Sequence, residues 1–166
     1  GEMVPGLQAL DAVIDGSAEM SHGTPYYWQN KSQALSFFTG VPFGMTNREL
    51  TAWVRYLGGQ EIWDKVYDQF GVQGFLSGDT GTQAGGWFRN ELTGVADIQG
   101  LRFRTPGLGG QVWGKLGASV TNLAAGEIFA ALQSGTLDAA EFVGPYNDLA
   151  LGFYQIAKNY YFPSFV

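Results

Sequence analysis

Residues 101–123 read LRFRTPGLGGQVWGKLGASVTNL, and this stretch decides the expected fold. LRFR predicts a strand that ends at Arg104, because the TPG that follows is a typical turn sequence. GGQVWGKLG then predicts a short helix, and ASVTNL predicts a second strand. A strand, a helix and a strand in this order indicate a largely parallel sheet with crossover helices, and therefore an α/β fold.

The rest of the chain continues this alternation. PGLQALDAVID (5–15) has apolar residues at helical spacing, and TNRE (46–49) is a capping box that predicts the start of a helix. We also expect helices in EIWDKVYDQF (61–70) and AGEIFAALQSG (125–135). Strands are expected in SAEMSHGTPYYW (17–28), which runs into an aromatic loop, and in VQGFL (72–76). SGDTGTQAGG (77–86) predicts a glycine-rich loop.

The composition is that of a globular protein with a sizeable buried core. Apolar residues make up 45% of the 166 residues and charged residues 14%, below the roughly 25% of an average domain. The net charge of −6 and the nine scattered basic residues argue against a nucleic-acid partner, which requires clustered Lys and Arg. Because the chain has no cysteine, disulfides and thiolate metal ligands are excluded.

One carboxylate, Glu141, stands in the otherwise apolar stretch AAEFV, residues 139–143. A buried carboxylate is unfavourable unless a cation or hydrogen bonds compensate its charge. Either Glu141 faces water at the end of a strand, or it meets a cation. The residues alone leave both interpretations open.

Two other segments carry candidate ligand-binding residues. In LRFR, the period of a strand places Arg102 and Arg104 on one side and Phe103 on the other. A guanidinium at the strand tip suits bidentate recognition of a carboxylate, and an edge strand with two solvated arginines is the alternative. In TGTQAGGW (80–87), Gln83 offers an amide oxygen to a ligand or metal, or the segment is only a glycine-rich connection, since it matches no phosphate-binding motif.

An internal similarity links the two ends of the chain. Residues 12–27 align without gaps to residues 131–146, with Gly16 opposite Gly135 and His22 opposite Glu141. The match is either chance or a sign of two halves that each place a polar group after a strand, where open α/β sheets bind ligands. A single histidine argues against zinc chemistry and against a catalytic triad.

Six longer segments together resemble the extracytoplasmic solute-binding subunits of TRAP transporters, most of all the group that binds 2-oxo acids such as pyruvate. They are AEMSHGTPYYW, ALSFFTGVPFGM, GDTGTQAGGWFRNE, IQGLRFRTPGLGG, LAAGEIFAALQSGTLDAAEFVGPYND and LGFYQIAKNYYFPSF. The resemblance implies a periplasmic-binding-protein-like, two-lobed α/β fold (type II-like). Because members of that family are longer, the chain resembles their central portion. Residues 1–75 and 135–166 are then expected in one lobe and the hinge, and residues 76–134 mainly in the second lobe.

The resemblance also implies roles for five residues. Arg104 would bind the ligand carboxylate, and Tyr27 would point at the ligand. Gln83, Glu141 and the backbone carbonyl of Phe142 would bind a metal ion, sodium in the first place and calcium as the alternative, which the ligand also contacts. A Trp commonly follows the acid in this group, so Phe142 implies a smaller pocket wall. A hard cation would explain a carboxylate among apolar neighbours.

The implied function is capture of a small monocarboxylate, a 2-oxo or 2-hydroxy acid, in the periplasm and its delivery to the TRAP membrane permease. The resemblance implies an exported protein that is not an enzyme, and it leaves open whether the complete protein is a homodimer. Two functional alternatives also stay open. One is a metal-assisted enzyme on the same scaffold, with Glu141 as acid and base, and the other is a ligand sensor with the same pocket.

Overall fold

The computed structural model describes residues 2–164, which divide into two compact units, one ending at Gly81 and the other beginning at Thr82. The helices are α1 (Ala9–Ile14), α2 (Asn47–Tyr56), α3 (Gly59–Asp68), α4 (Gly107–Lys115), α5 (Ala125–Gln133) and α6 (Pro145–Leu151). The strands are β1 (Gly86–Phe88), β2 (Arg102–Arg104), β3 (Ser119–Thr121), β4 (Ala139–Ala140) and β5 (Asn159–Tyr161). Short 3-10 helices span Gly6–Gln8, Pro25–Trp28, Gln33–Phe38, Val95–Ile98 and Phe153–Gln155. None of the helices in residues 2–164 is long and apolar enough to cross a membrane.

The first unit packs helices around an aromatic core. The capping box predicted for α2 is confirmed: Thr46 Oγ1 accepts the Glu49 backbone N–H at 3.5 Å, and the Glu49 carboxylate accepts the Thr46 backbone N–H at 2.8 Å. Gly58, at a φ of 84°, lets the chain turn from α2 into α3. The buried side chains of this core are Leu10, Trp28, Leu35, Phe38, Val54, Trp63 and Tyr67.

The second unit is built on a five-stranded sheet in the order β3-β2-β4-β1-β5. β2 pairs in parallel with β3 and with β4, and the connections run through α4 and α5, as the alternation of helices and strands predicted. β1 pairs antiparallel with both β4 and β5, so the sheet is mixed and its predicted parallel part is limited to three strands. The buried core residues on and around the sheet are Phe88, Phe103, Ala139, Ile128, Leu132, Leu137, Ala140 and Phe153.

Two predicted strands are wrong. Residues 17–24 and 72–76 have no regular structure. A Cβ at Gly23 would lie 2.4 Å from the Trp28 ring, so this backbone packs against an aromatic side chain instead of pairing with a strand. At Gly74 the carbonyl accepts the Gln60 side-chain amide at 2.8 Å, and a Cβ there would lie 2.3 Å from Trp63. Aromatic packing therefore replaces strand pairing in both segments.

The internal similarity survives in part. Gly16 and Gly135 follow α1 and α5 with φ of 78° and 76°, which is the left-handed conformation that ends many helices. The second copy continues into β4, whereas the first copy forms no strand and leaves His22 exposed. The two copies thus share a helix end rather than a whole βα unit.

The pairing of the sheet decides which unit the end of the described chain belongs to. Residues 135–164 belong to the unit that begins at Thr82. The reason is that β4 lies between β2 and β1, and β5 adds to the far side of β1, so both strands find their backbone partners in this sheet. Residues 165–166 lie outside the described residues. The assignment of the units to lobes of the complete protein stays a prediction.

We predict that Gly86→Ala destabilises the second unit. Gly86 has a φ of 119°, and a Cβ there would lie 2.8 Å from the Ala140 carbonyl oxygen. We therefore expect the free energy of unfolding to fall by about 1 kcal/mol or more. Gly126→Ala is the matched control, because Gly126 lies in α5 with no atom within 4 Å of its Cβ. Urea unfolding of the complete protein gives the midpoint of each variant. If Gly86→Ala and Gly126→Ala unfold at the same urea concentration, the prediction is wrong.

Candidate functional site

The carboxyl ends of β3, β2 and β4 meet at one edge of the sheet, which is where open α/β sheets commonly bind ligands. Arg104 is the last residue of β2, and Glu141 directly follows β4. The Glu141 backbone N–H donates to the Arg104 carbonyl oxygen at 2.9 Å, which extends the parallel ladder by one bond. The ladder therefore places these two charged residues side by side.

The Arg104 side chain is fully buried and fixed by backbone carbonyls on both sides. Its Nε donates to the Leu123 carbonyl oxygen at 3.1 Å, and its Nη1 donates to the Glu141 carbonyl oxygen at 2.5 Å. Its guanidinium carbon lies 5.7 Å from the centre of the Phe142 ring, which is a cation–π arrangement. A planar guanidinium held this way presents its donors in one fixed orientation.

The edge-strand alternative for Arg102 and Arg104 is wrong. β2 lies between β3 and β4 in the interior of the sheet. Arg102 is exposed and forms a salt bridge with Asp138 near the start of the strand, while Arg104 is 0% exposed. The same strand therefore carries one arginine in an exposed salt bridge and one whose guanidinium is buried at the end of the strand.

Glu141 carries a charge that its surroundings compensate only in part. Its side chain is 10% exposed, and its Oε2 lies 3.8 Å from Arg104 Nη1. Its Oε1 is buried and has no hydrogen-bond partner within the described part of the chain. Burial raises the pKa of Glu141 to about 8, and the charge of Asp148 contributes to this rise. The attraction of Arg104 and a hydrogen bond with Thr105 lower the pKa, but they do not offset the effect of burial. Of the two interpretations of Glu141, exposure to water is therefore wrong.

Gln83 reaches this edge through backbone pairing. The Ala84 N–H donates to the Val143 carbonyl oxygen at 2.9 Å, so the glycine-rich loop runs beside the segment that follows β4. The Ser164 N–H donates to the Gln83 carbonyl oxygen at 3.2 Å from the other side. The structure thus brings together Arg104, Glu141 and Phe142 in direct contact and holds the Gln83 loop next to them.

Tyr27 belongs to the first unit, where it lies half-buried in the 3-10 helix Pro25–Trp28. Its ring meets the Tyr26 ring edge-on, with 4.9 Å between the centroids. A role of Tyr27 at the ligand stays a prediction.

The donor atoms at the edge are oxygens. Across residues 2–164, no group of three or more His, Cys, Asp and Glu residues comes together. The ligands predicted from the sequence, which are the amide oxygen of Gln83, the carboxylate of Glu141 and the carbonyl of Phe142, would form a different kind of set, with one charge and neutral oxygens. Such a set suits a hard cation, sodium or calcium, and does not suit zinc. The buried Oε1 of Glu141 provides a ligand atom that no protein group uses in the described structure.

Two polar residues near this edge were not predicted from the sequence. Asp148, in α6, is 0% exposed and accepts hydrogen bonds from the backbone N–H groups of Val143 and Gly144. Asn122 directly follows β3, and its Oδ1 is buried without a partner in the part of the chain that the structure describes. An acid after Gly-Pro is a recognisable sign of a helix start, so GPYND carried a usable signal for Asp148.

Comparison with known proteins identifies the family. The chain matches the bacterial extracellular solute-binding protein family 7 over residues 1–165. It belongs to this family. The monocarboxylate 2-oxoacid-binding periplasmic protein of Nostoc sp. is 50% identical to it over 163 residues, which are 98% of this chain and 45% of the Nostoc protein.

Two solved structures are also similar. A TRAP periplasmic solute-binding protein from Pseudoalteromonas atlantica, with bound sodium and pyruvate, is 47% identical with a TM-score of 0.93, covering 95% of this chain and 48% of that one. A TRAP transporter solute-binding protein from Bordetella bronchiseptica, a mixed-occupancy dimer with calcium and picolinate, is 41% identical with a TM-score of 0.97, covering 99% of this chain and 49% of that one. The predicted fold and family are thus confirmed, and the chain spans less than half the length of these relatives.

The raised pKa of Glu141 predicts how stability depends on pH when no metal is bound. Between the ordinary value of 4.5 and about 8, the unfolded chain loses this proton while the folded protein keeps it. Because the folded state then binds more protons, the free energy of unfolding should fall as the pH rises through this window.

Urea unfolding of the complete protein at pH 5 and pH 8, in a chelator and without sodium, tests this. We expect Glu141→Gln to match the wild type at pH 5 and to be more stable at pH 8. Glu91→Gln, at an exposed position in the same unit, is the control. If the wild type and Glu141→Gln have equal free energies of unfolding at both pH 5 and pH 8, Glu141 is not buried as described.

Proposed function

We propose that the complete protein is the periplasmic solute-binding subunit of a TRAP transporter, which captures a small monocarboxylate of the 2-oxo acid class and delivers it to the membrane permease. The observation that carries the proposal is the juxtaposition of a fully buried guanidinium with a buried carboxylate whose Oε1 has no partner among the described residues. Membership of the extracellular solute-binding family supports export to the periplasm.

The ligand chemistry follows from the two charged groups. A carboxylate pairs with the planar donor fork of Arg104, which is fixed by its bonds to Leu123 and Glu141. A metal ion held by Glu141, Gln83 and the Phe142 carbonyl would neutralise the Glu141 charge and offer its remaining positions to the ligand. A 2-oxo acid has a keto oxygen beside its carboxylate, so it can chelate the ion while it contacts Arg104.

The relatives support this ligand class. Pyruvate is present with sodium in the Pseudoalteromonas protein, and picolinate with calcium in the Bordetella protein. Both molecules carry a carboxylate next to a second donor atom, a keto oxygen in one and a ring nitrogen in the other. The shared chemistry is therefore a bidentate monocarboxylate that binds a hard cation. The Nostoc relative is also a binding protein for 2-oxo acids by name, which favours capture over catalysis.

Replacement of Arg104 by Lys tests the role of the guanidinium. A lysine provides one charge and no planar fork, so we expect the affinity for pyruvate to fall by about 10- to 100-fold. Arg102→Lys is the matched control on the same strand, and its affinity should be that of the wild type. Equilibrium dialysis of the complete protein with labelled pyruvate measures both. Equal losses in the two variants, or none in Arg104→Lys, would refute the role.

Replacement of Glu141 by Gln tests the metal. This variant keeps the shape of the side chain and removes the charge that a cation would neutralise. We expect pyruvate binding to become weak and independent of added sodium or calcium. The same titration with each cation, and with neither, measures this. If Glu141→Gln keeps the cation dependence of the wild type, the metal lies elsewhere and the proposed ligand set is wrong.

A further inference from the structure

Asp148 forms hydrogen bonds that a simple helix cap does not require. Its Oδ1 accepts the backbone N–H groups of Val143 and Gly144, both at 3.2 Å, and its Oδ2 accepts the indole N–H of Trp87 at 3.1 Å. It is 0% exposed, so its charge is removed from water and balanced inside the protein. Burial raises the pKa of Asp148, and these three bonds and the charge of Arg104 oppose that rise.

A second aspartate in the same unit shows what an ordinary cap looks like. The Asp97 carboxylate accepts the backbone N–H groups of Thr93 and Gly94 at 2.7 and 3.1 Å, just before the 3-10 helix Val95–Ile98. Asp97 is exposed and bonds to no other segment through the contacts that the structure gives. The burial of Asp148 and its bond to Trp87 on β1 thus go beyond capping.

The bond to Val143 has a geometric consequence for its neighbour. The Val143 N–H and the Phe142 carbonyl belong to one planar, trans peptide group, so they point in opposite directions. An N–H that is fixed on Asp148 therefore directs the Phe142 carbonyl oxygen away from Asp148. The Val143 carbonyl, on the next peptide, is held in turn by the Ala84 N–H at 2.9 Å. Both peptides after Phe142 are thus held in one orientation.

The charge of Asp148 also changes the balance at the edge of the sheet. Glu141 and Asp148 are both buried, and Asp148 is bonded to the backbone two and three residues after Glu141. When both are ionised, they bring two negative charges against the single positive charge of Arg104. A bound monocarboxylate adds a further negative charge. One sodium ion then leaves a net negative charge in a buried site, whereas one calcium ion neutralises it.

We propose that Asp148 is the positioning residue of the cation site: it orients the Phe142 carbonyl toward the ion and supplies a second buried carboxylate, so that the site prefers a divalent to a monovalent cation. This inference rests on the proposed function, because it takes Glu141 and Phe142 as ligands of the metal. It assigns the preference to a residue that does not itself touch the ion.

The test compares Asp148→Asn with Asp97→Asn in the complete protein. Equilibrium dialysis with labelled pyruvate gives the calcium and the sodium concentrations that support half-maximal binding. In the wild type, half-maximal pyruvate binding should require a lower concentration of calcium than of sodium. In Asp148→Asn the required calcium concentration should rise by about 10- to 100-fold, as is typical when a partner behind a metal ligand is lost. The sodium concentration should rise less, and Asp97→Asn should behave as the wild type.

The outcomes separate the possible roles. Equal losses for both cations in Asp148→Asn, or no loss, would overturn the inference, and so would a wild type that prefers sodium. If Asp148→Asn does not fold in a thermal unfolding assay, Trp87→Phe carries the test, because it removes one bond to Asp148 and keeps the charge. We expect Trp87→Phe to lower the affinity for both cations and to keep the preference for calcium. Unchanged affinities for calcium and sodium in this variant would overturn the positioning role. A wild type that binds no pyruvate with either cation would refute the proposed function itself.

Discussion

The hydrogen bond from the buried Arg104 guanidinium to the Glu141 carbonyl oxygen is the interaction on which the rest of the site depends. It joins the ends of two parallel strands and, together with the bond to Leu123, connects three neighbouring strands at one edge. A guanidinium cannot give up its charge at any ordinary pH, so its burial is tolerated only with acceptors on several sides. The backbone carbonyls provide these acceptors, and the side chain of Glu141 is left with an unsatisfied oxygen.

The proposed function requires this site to hold a cation and an anion together. The protein alone holds an arginine and two buried carboxylates, Glu141 and Asp148, and burial raises the pKa of both acids. A bound hard cation would relieve the repulsion between these carboxylates, and the ligand carboxylate would then bring a negative charge to the guanidinium. Binding of the two is expected to be coupled, because each supplies the charge that makes the other favourable. The number of carboxylates that the site buries would therefore decide which cation charge it favours.

Much of this could be predicted from the sequence, and the failures have physical causes. The run LRFRTPG fixed the end of β2 at Arg104, because a turn sequence stops a strand regardless of its surroundings. The expected strands at 17–24 and 72–76 failed because local patterns do not report that a glycine packs against a tryptophan. The mixed sheet was missed since pairing direction is a property of contacts distant in the chain, here β1 with β4 and β5.

The site residues were also predictable from the sequence only in part. Glu141 stood out because a lone carboxylate in an apolar run is unusual at the level of the sequence. Asp148 did not stand out, because an acid in the first turn of a helix is ordinary until its burial and its bond to Trp87 are known. The strand end and the family resemblance singled out Arg104, but the period of a strand assigns both arginines of LRFR to the same side and does not report that only Arg104 is buried. Their different depths follow from the strand end, where Arg104 meets two neighbouring strands.

The most direct test of the central claim is a crystal structure of the complete protein grown with pyruvate and calcium. We predict an ion within roughly 2.3–2.6 Å of a Glu141 carboxylate oxygen, the Gln83 amide oxygen and the Phe142 carbonyl oxygen. We also predict that the pyruvate carboxylate contacts the Arg104 guanidinium. Pyruvate bound to Arg104 with Glu141 hydrogen-bonded to water, and with no ion between them, would contradict the account.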